Sequence, residues 1–172
     1  LISNSGVAAS DVTGVGTARQ DLGAASYGGD KAIFAYGYGG SRVSLKNLVS
    51  NSGVVAADAT GVGTARDQLA AAEYGGDKAI FGYGYTGSLV SLTNLVSNTG
   101  VVAADVTGVG TARRFLDATS YGGDKAIFAY GDTGSKVSMS NLVSSSGVVA
   151  SDVTGVGTAR SGAAAAGYST SA

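Results

Sequence analysis

The chain has no cysteine, no histidine, no proline and no tryptophan among its 172 residues. Without cysteine it has no disulfide and no thiolate site, and the redox compartment leaves no trace in the sequence. Without histidine it lacks the usual metal ligand and the side chain that shuttles protons near neutral pH. Nucleophilic catalysis of the serine–histidine kind therefore has no base. Charge is also scarce. With 11 basic and 12 acidic residues, a net charge of −1 and no basic block, the composition argues against electrostatic binding of nucleic acid. No apolar run approaches the roughly 18 residues of a membrane-spanning helix. Leu1 opens the chain without methionine and no signal-peptide pattern follows, which reads as a processed chain or an excerpt of a longer one.

What is present is small, apolar and periodic. Apolar residues make up 44% of the chain, too many for a charge-rich disordered one. They are mostly alanine and valine, and 29 glycines accompany them, which favours thin, closely stacked layers. Arg19, Arg66, Arg113 and Arg160 recur every 47 residues. Each ends a copy of Asp-x-Thr-Gly-Val-Gly-Thr-Ala-Arg, beginning at Asp11, Asp58, Asp105 and Asp152. Tyr27, Tyr74, Tyr121 and Tyr168 keep the same period. The chain divides into a partial unit 1–16, full units 17–63, 64–110 and 111–157, and a terminal strand 158–172. A fixed period of this length marks a repeat architecture in which each unit is completed by its neighbours.

One unit predicts four short strands: Leu22–Tyr27, Lys31–Tyr36, Arg42–Val49, and a fourth from Val54 to Ala57 or beyond. Gly28-Gly29-Asp30 predicts a tight turn between the first two. Glycine every few residues weighs against helix, at about 1 kcal/mol each relative to alanine. The Leu69–Glu73 stretch is the one place where a helical turn competes. Four strands per unit predict an all-β fold, a β-propeller of four-stranded antiparallel blades. Blades converge on an axis, so the innermost strand must be slim, as Gly23-Ala24-Ala25 and Ala70-Ala71-Ala72 are. A middle strand is covered on both faces and should be apolar without alternation, as Ala32-Ile33-Phe34-Ala35-Tyr36 is.

The run Arg66, Leu69-Ala70-Ala71-Ala72, Tyr74-Gly75-Gly76-Asp77-Lys78-Ala79-Ile80-Phe81-Gly82-Tyr83-Gly84 resembles a kelch-type propeller repeat. An arginine precedes a small-residue strand, and a short turn leads into an apolar strand. Gly82-Tyr83-Gly84, or Ala35-Tyr36-Gly37, stands where the family has a double glycine. The later tyrosine and tryptophan of that family have no counterpart. The resemblance recurs in every unit and implies a propeller blade. Near-identical copies also resemble repeat proteins of environmental phages and bacteria, which implies an extracellular or virion-surface setting.

Leu1 aligns with Leu48, Leu95 and Leu142, so the chain opens late in a third strand and closes after a first one. Closure of a propeller blade from the two ends would lack a second strand and most of a third. The expectation is that the natural protein extends upstream of Leu1; failing that, closure falls to another copy or the repeat stacks as an open solenoid.

Asp11, Arg19, Asp58, Arg66, Asp105, Arg113, Asp152 and Arg160 recur in every unit, whereas a catalytic pair normally occurs once. They are expected to hold loop backbone or bridge adjacent blades. Asp30-Lys31, Asp77-Lys78 and Asp124-Lys125 offer only one carboxylate per turn, too few for a calcium site. Gly14-Val15-Gly16-Thr17 lacks the lysine and the helix of a phosphate loop. No metal and no cofactor is expected, and the chain reads as a non-enzyme.

The positions that differ between copies are Gln20-Asp21, Asp67-Gln68 and Arg114-Phe115 after the arginines, and Tyr38, Tyr85 and Asp132 after the second strands. In an up-and-down blade these two loops share one face. That face is the candidate site for a protein or carbohydrate surface, with aromatic rings supplying flat contacts. The competing expectation is a structural protein whose repeats self-associate into a filament or shell. A lesser one is a fragment of a propeller enzyme with its site elsewhere.

Overall fold

The computed structural model describes residues 5–8, 10 and 13–167. Its nine strands are β1 (Gly23–Tyr27), β2 (Lys31–Ala35), β3 (Lys46–Val49), β4 (Ala70–Tyr74), β5 (Lys78–Gly82), β6 (Thr93–Val96), β7 (Asp117–Tyr121), β8 (Lys125–Ala129) and β9 (Ser140–Val143). Among the described residues there is no helix, including at Leu69–Glu73. The strands form three antiparallel sheets, ordered β1-β2-β3, β4-β5-β6 and β7-β8-β9.

The turn between β1 and β2 forms because Gly28 and Gly29 take φ of 63° and 78°, a region that residues with side chains rarely adopt. It sets the register from Tyr27↔Lys31 to Gly23↔Ala35. The third strand begins at Lys46 rather than near Arg42. Arg42–Leu45 is instead spent on a compact loop, in which the Tyr36 N–H donates to the Leu45 carbonyl and the Val43 N–H to the Gly37 carbonyl.

The blades are three-stranded, not four-stranded. The expected fourth strand joins β3 only through isolated bridges, Val49↔Val55 and Lys46↔Ala59. The two bridges differ in register by one residue, so the segment carries an extra residue, a bulge, that breaks the ladder. The Asn47 side-chain amide fills the gap by donating to the Ala56 carbonyl.

Each sheet has a front face toward the preceding unit and a back face toward the next. One core joins Tyr27, Ile33, Ala35 and Tyr36 on the back of the first sheet to Leu69, Ala79, Phe81, Val96 and Val102 on the front of the second. A second core repeats the arrangement between the second and third sheets. Phe81 meets the Tyr36 ring edge-on at 5.4 Å, and Phe128 meets Tyr83 at 5.2 Å. A Cβ on Gly23 would come within 2.9 Å of the Phe81 ring, and one on Gly82 within 2.6 Å of Phe128.

The sheets come closest beside their first strands. The Gln68 N–H donates to the Asp21 carbonyl, Phe115 to Gln68 and Gly162 to Phe115, linking equivalent residues of successive units at 2.9–3.0 Å. Stacked sheets ordinarily stand about 10 Å apart, and hydrogen-bonded backbones about 5 Å. The sheets therefore converge along this ladder. Small residues in β1 and β4 permit the approach. The three sheets form an open series, and ring closure is not seen among the described residues.

Candidate functional site

The repeated aspartate and arginine belong to one polar clasp per unit. Asp58 accepts the Thr17 N–H at 2.8 Å and the Thr17 hydroxyl at 2.7 Å on one oxygen, and the Asn47 amide at 2.9 Å on the other. Arg19 lies 3.5 Å from the same carboxylate and donates to the Asn47 side chain. Asp105 clasps Thr64 and Asn94, with Arg66 3.8 Å away, and Asp152 clasps Thr111 and Asn141. An arginine thus shares its unit with the aspartate of the next motif copy, not with that of its own copy. Asp11 lies outside the described residues.

The rest of the motif follows from the same geometry. The first glycine lies where a Cβ would collide with a serine carbonyl of its own unit, Ser44 for Gly61 and Ser91 for Gly108. The carbonyl of the next residue, Val62 or Val109, accepts the hydroxyl of Tyr36 or Tyr83. The second glycine leaves room for the clasping aspartate. The arginines then bind across units. Arg66 lies 4.1 Å over the Tyr36 ring, Arg113 4.2 Å over Tyr83 and Arg160 3.7 Å over Tyr130. Arg66 and Arg113 are fully buried, and each donates Nε to a carbonyl of its own unit, Tyr83 or Tyr130. Asn94 Oδ1 and Arg66 Nη2 are buried without partners, and their counterparts Asn47 and Arg19 bond to each other.

Hydrogen bonds from the Thr17 hydroxyl, the Asn47 amide and the Thr17 N–H hold the Asp58 carboxyl down at about 2. For Asp105 and Asp152 burial pushes upward, but the threonine and asparagine donors and the arginine charge outweigh it, so both carboxyls are lowered. A carboxylate depressed by folding stabilises the fold above its unfolded value of about 3.9, and that contribution fades as pH falls through the folded value. Stability is therefore expected to be level above pH 5 and to decline between about pH 4 and pH 2, read as the urea midpoint at each pH. A midpoint unchanged down to pH 2 would count against the clasp.

The variable positions come together on one face. Gln20 bridges to Tyr38, Asp67 to Tyr85 and Arg114 to Asp132, so the two loops of each unit are paired there. Tyr85 is the centre of the cluster: the Arg42 guanidinium lies 4.5 Å from its ring on the side of the preceding unit, and Arg114 5.2 Å away from the following one. Arg42 is held by Asp67 at 3.0 Å, and Arg114 lies 3.7 Å from Asp132 and 5.2 Å from the Phe115 ring. Tyr38 and Phe115 are about a third exposed, at 36% and 37%. Asp67 is buried, so it shapes the cluster through Arg42 rather than reaching outward. Gln68 is half-buried, and its Oε1 has no partner.

Asp21, Gln68 and Phe115 take φ of 53°, 57° and 51°, a left-handed conformation uncommon for residues with side chains. The ladder between units over-determines it. The same backbone that spaces the sheets thus aims these side chains, and such strain clusters at functional positions.

Among the described residues no group of three or more acidic, histidine or cysteine side chains is placed to hold a metal ion. No described helix is long and apolar enough to cross a membrane. Asp30, Asp77 and Asp124 each pair with the adjacent lysine at 2.9–3.0 Å. Sequence reasoning missed Arg42, which follows a variable loop, and also Thr17 and Asn47. The latter two recur with the motif's period as Thr64, Thr111, Asn94 and Asn141, a signal that period-invariant polar residues in an apolar unit provide. No family model matches the chain, and no curated protein matches it in sequence.

Proposed function

We propose that the chain is a non-catalytic, propeller-like scaffold whose variable loop face recognises a protein or carbohydrate surface. The observation that carries this reading is the cluster around Tyr85, with guanidinium groups on both sides and part-exposed Tyr38 and Phe115 on the same face. Aromatic faces offer flat apolar contact, and guanidinium and carboxylate groups beside them bond hydroxyls or backbone amides. Invariant clasps supply rigidity, and copy-to-copy differences supply the specificity. Convergence of the sheets along the ladder favours a propeller course of kelch-like, three-stranded blades. A surface or fibre of a phage or bacterium is the setting such a module fits.

The test is a glycan and protein binding screen with the intact chain, followed by Tyr38→Ala, Tyr85→Ala and Phe115→Ala together. Partner affinity is expected to fall at least about tenfold, since buried aromatic contacts are typical hot spots. Undiminished binding by a folded triple variant would refute the reading. A self-assembling structural role is the second reading, favoured by Phe34 of the first sheet, which is only half-buried where its counterparts Phe81 and Phe128 are fully buried.

A further inference from the structure

Two polar side chains on the loop face have nothing to bond. The Arg114 guanidinium lies 5.2 Å from both the Tyr85 ring and the Phe115 ring, and 3.7 Å from Asp132, beyond hydrogen-bonding distance. Its Nε is buried without a partner. Gln68, whose main-chain carbonyl accepts the Phe115 N–H at 3.0 Å, has its side-chain Oε1 in the same state. Arg42, on the other side of Tyr85, differs, because its Nε donates to Asp67 at 3.0 Å. Buried polar groups without partners are few in native proteins, and each calls for a reason. The other such atoms, on Arg19, Arg66, Asn94 and Asn141, all belong to the clasps. A spare donor and a spare acceptor thus come from the two residues nearest Phe115, one beside it in the chain and one across the ladder, and the Phe115 ring is 37% exposed.

On the footing that the loop face is the recognition surface, we propose that its ligand is a neutral saccharide, with one sugar ring seated on Phe115 and its hydroxyls bonded to Arg114 and Gln68. A hydroxyl both donates and accepts, so neighbouring hydroxyls of one sugar answer both groups. The C–H face of the sugar supplies the flat apolar contact that an aromatic ring takes. Equivalent residues along the ladder stand about 5 Å apart, the spacing of hydrogen-bonded backbones and the width of one sugar ring, so Gln68 and Phe115 are close enough to meet the same sugar. The equivalents of Phe115 are Asp21, Gln68 and Gly162, so this set occurs once among the described residues, where the second and third units meet.

Charge and area decide between ligand classes. Arg42 and Arg114 stand against Asp67 and Asp132, each guanidinium beside its own carboxylate, so the cluster seeks no countercharge from an acidic or basic ligand. A stable protein interface buries about 800 Å² on each partner around a desolvated apolar centre. Here the part-exposed rings Tyr38 and Phe115 belong to the first and third units, and the second places between them a tyrosine with guanidiniums on both sides. The apolar surface comes in single-ring pieces with polar groups around each, which is the pattern of a sugar.

The test is titration of the intact chain with neutral oligosaccharides of glucose, galactose and mannose, and with a sulfated oligosaccharide for contrast. A neutral member is expected to bind more tightly than the sulfated one. Its affinity should stay within about twofold between about 0.05 M and 0.5 M salt, a range over which exposed charges become screened. Phe115→Ala is expected to weaken binding about tenfold, and Phe115→Trp to keep or tighten it. Gln68→Leu is expected to weaken binding about tenfold while leaving the urea midpoint level or raised, because it removes an acceptor that the fold does not use. Failure of every neutral member to bind overturns the proposal, as does binding that both weakening variants leave intact or that falls steeply with salt. A protein partner lost in the Tyr38, Tyr85 and Phe115 triple variant, with no saccharide bound, would overturn it and leave the recognition reading standing. A saccharide whose binding is indifferent to that triple variant would sink both.

Discussion

Gly108→Ala is expected to destabilise the chain by about 3 kcal/mol or more, while Gly14→Ala, at the identical motif position, costs almost nothing. A Cβ on Gly108 would sit on the carbonyl of Ser91, which is backbone and cannot swing aside. The backbone of Gly108 is not left-handed, so the cost is steric overlap and not torsional strain. Overpacking in a fixed site costs typically 1–3 kcal/mol and more where the obstacle is main chain. Relief requires the segment carrying Val106 to lift from Thr93, which breaks the bridge between them and unseats the nearby Asp105 clasp. Among the described residues, Gly14 has nothing within 4 Å of the same Cβ. Urea denaturation of the two variants side by side measures the contrast. Equal effects would mean that the motif glycine is kept for a reason other than this contact.

The contrast shows what could be read from the residues alone. The motif glycines repeat in the sequence, but the obstacle that requires them is a serine 17 residues earlier, Ser91 for Gly108, brought close only by the loop before the third strand. The first two strands were legible because Gly28-Gly29 fixes the turn and Ala-Ile-Phe-Ala has no polar face. The fourth was not, because Val54-Val55-Ala56-Ala57 has strand composition while Asn47 and Asp58 divert the backbone into a bulge. Val54 is accordingly exposed. Composition reports what a segment tolerates; the partner decides whether its hydrogen bonds close into a ladder.

The site shows the same division. That Gln20 and Tyr38 would share a face followed from up-and-down strand order, and the bridges place them together. That Tyr85 would be flanked by two guanidiniums did not, since Arg42 and Arg114 come from the units on either side of it. Contacts between units cannot be read from one unit's spacing. For the same reason a single motif copy does not reveal that the aspartate meeting Arg66 is Asp105, in the following copy.

Arg66 joins both kinds of contact, and its loss should be the largest single-side-chain effect on stability. Arg66→Ala is expected to cost about 3–5 kcal/mol, the range for removing one partner of a buried ionic group. Three losses combine. The Tyr36 ring of the preceding unit loses a cation at 4.1 Å, the Tyr83 carbonyl loses a donor at 2.9 Å, and Asp105 loses its countercharge at 3.8 Å. Burial pulls the Arg66 guanidinium below its ordinary value, while Tyr36 and Asp105 oppose the shift; arginine's high intrinsic value keeps it charged at neutral pH. Arg66→Lys should recover little, because an ammonium neither stacks flat on the tyrosine nor reaches the carbonyl, threonine and carboxylate together. Arg160→Ala is the internal comparison: it makes the same stack at 3.7 Å, but it is exposed and should cost about 1 kcal/mol or less. Thermal and urea unfolding of the three variants checks the order. If Arg66→Lys were as stable as the wild type, the planar stack would not be what joins the sheets, and apolar contacts such as Phe81 on Tyr36 would have to hold the series together without it.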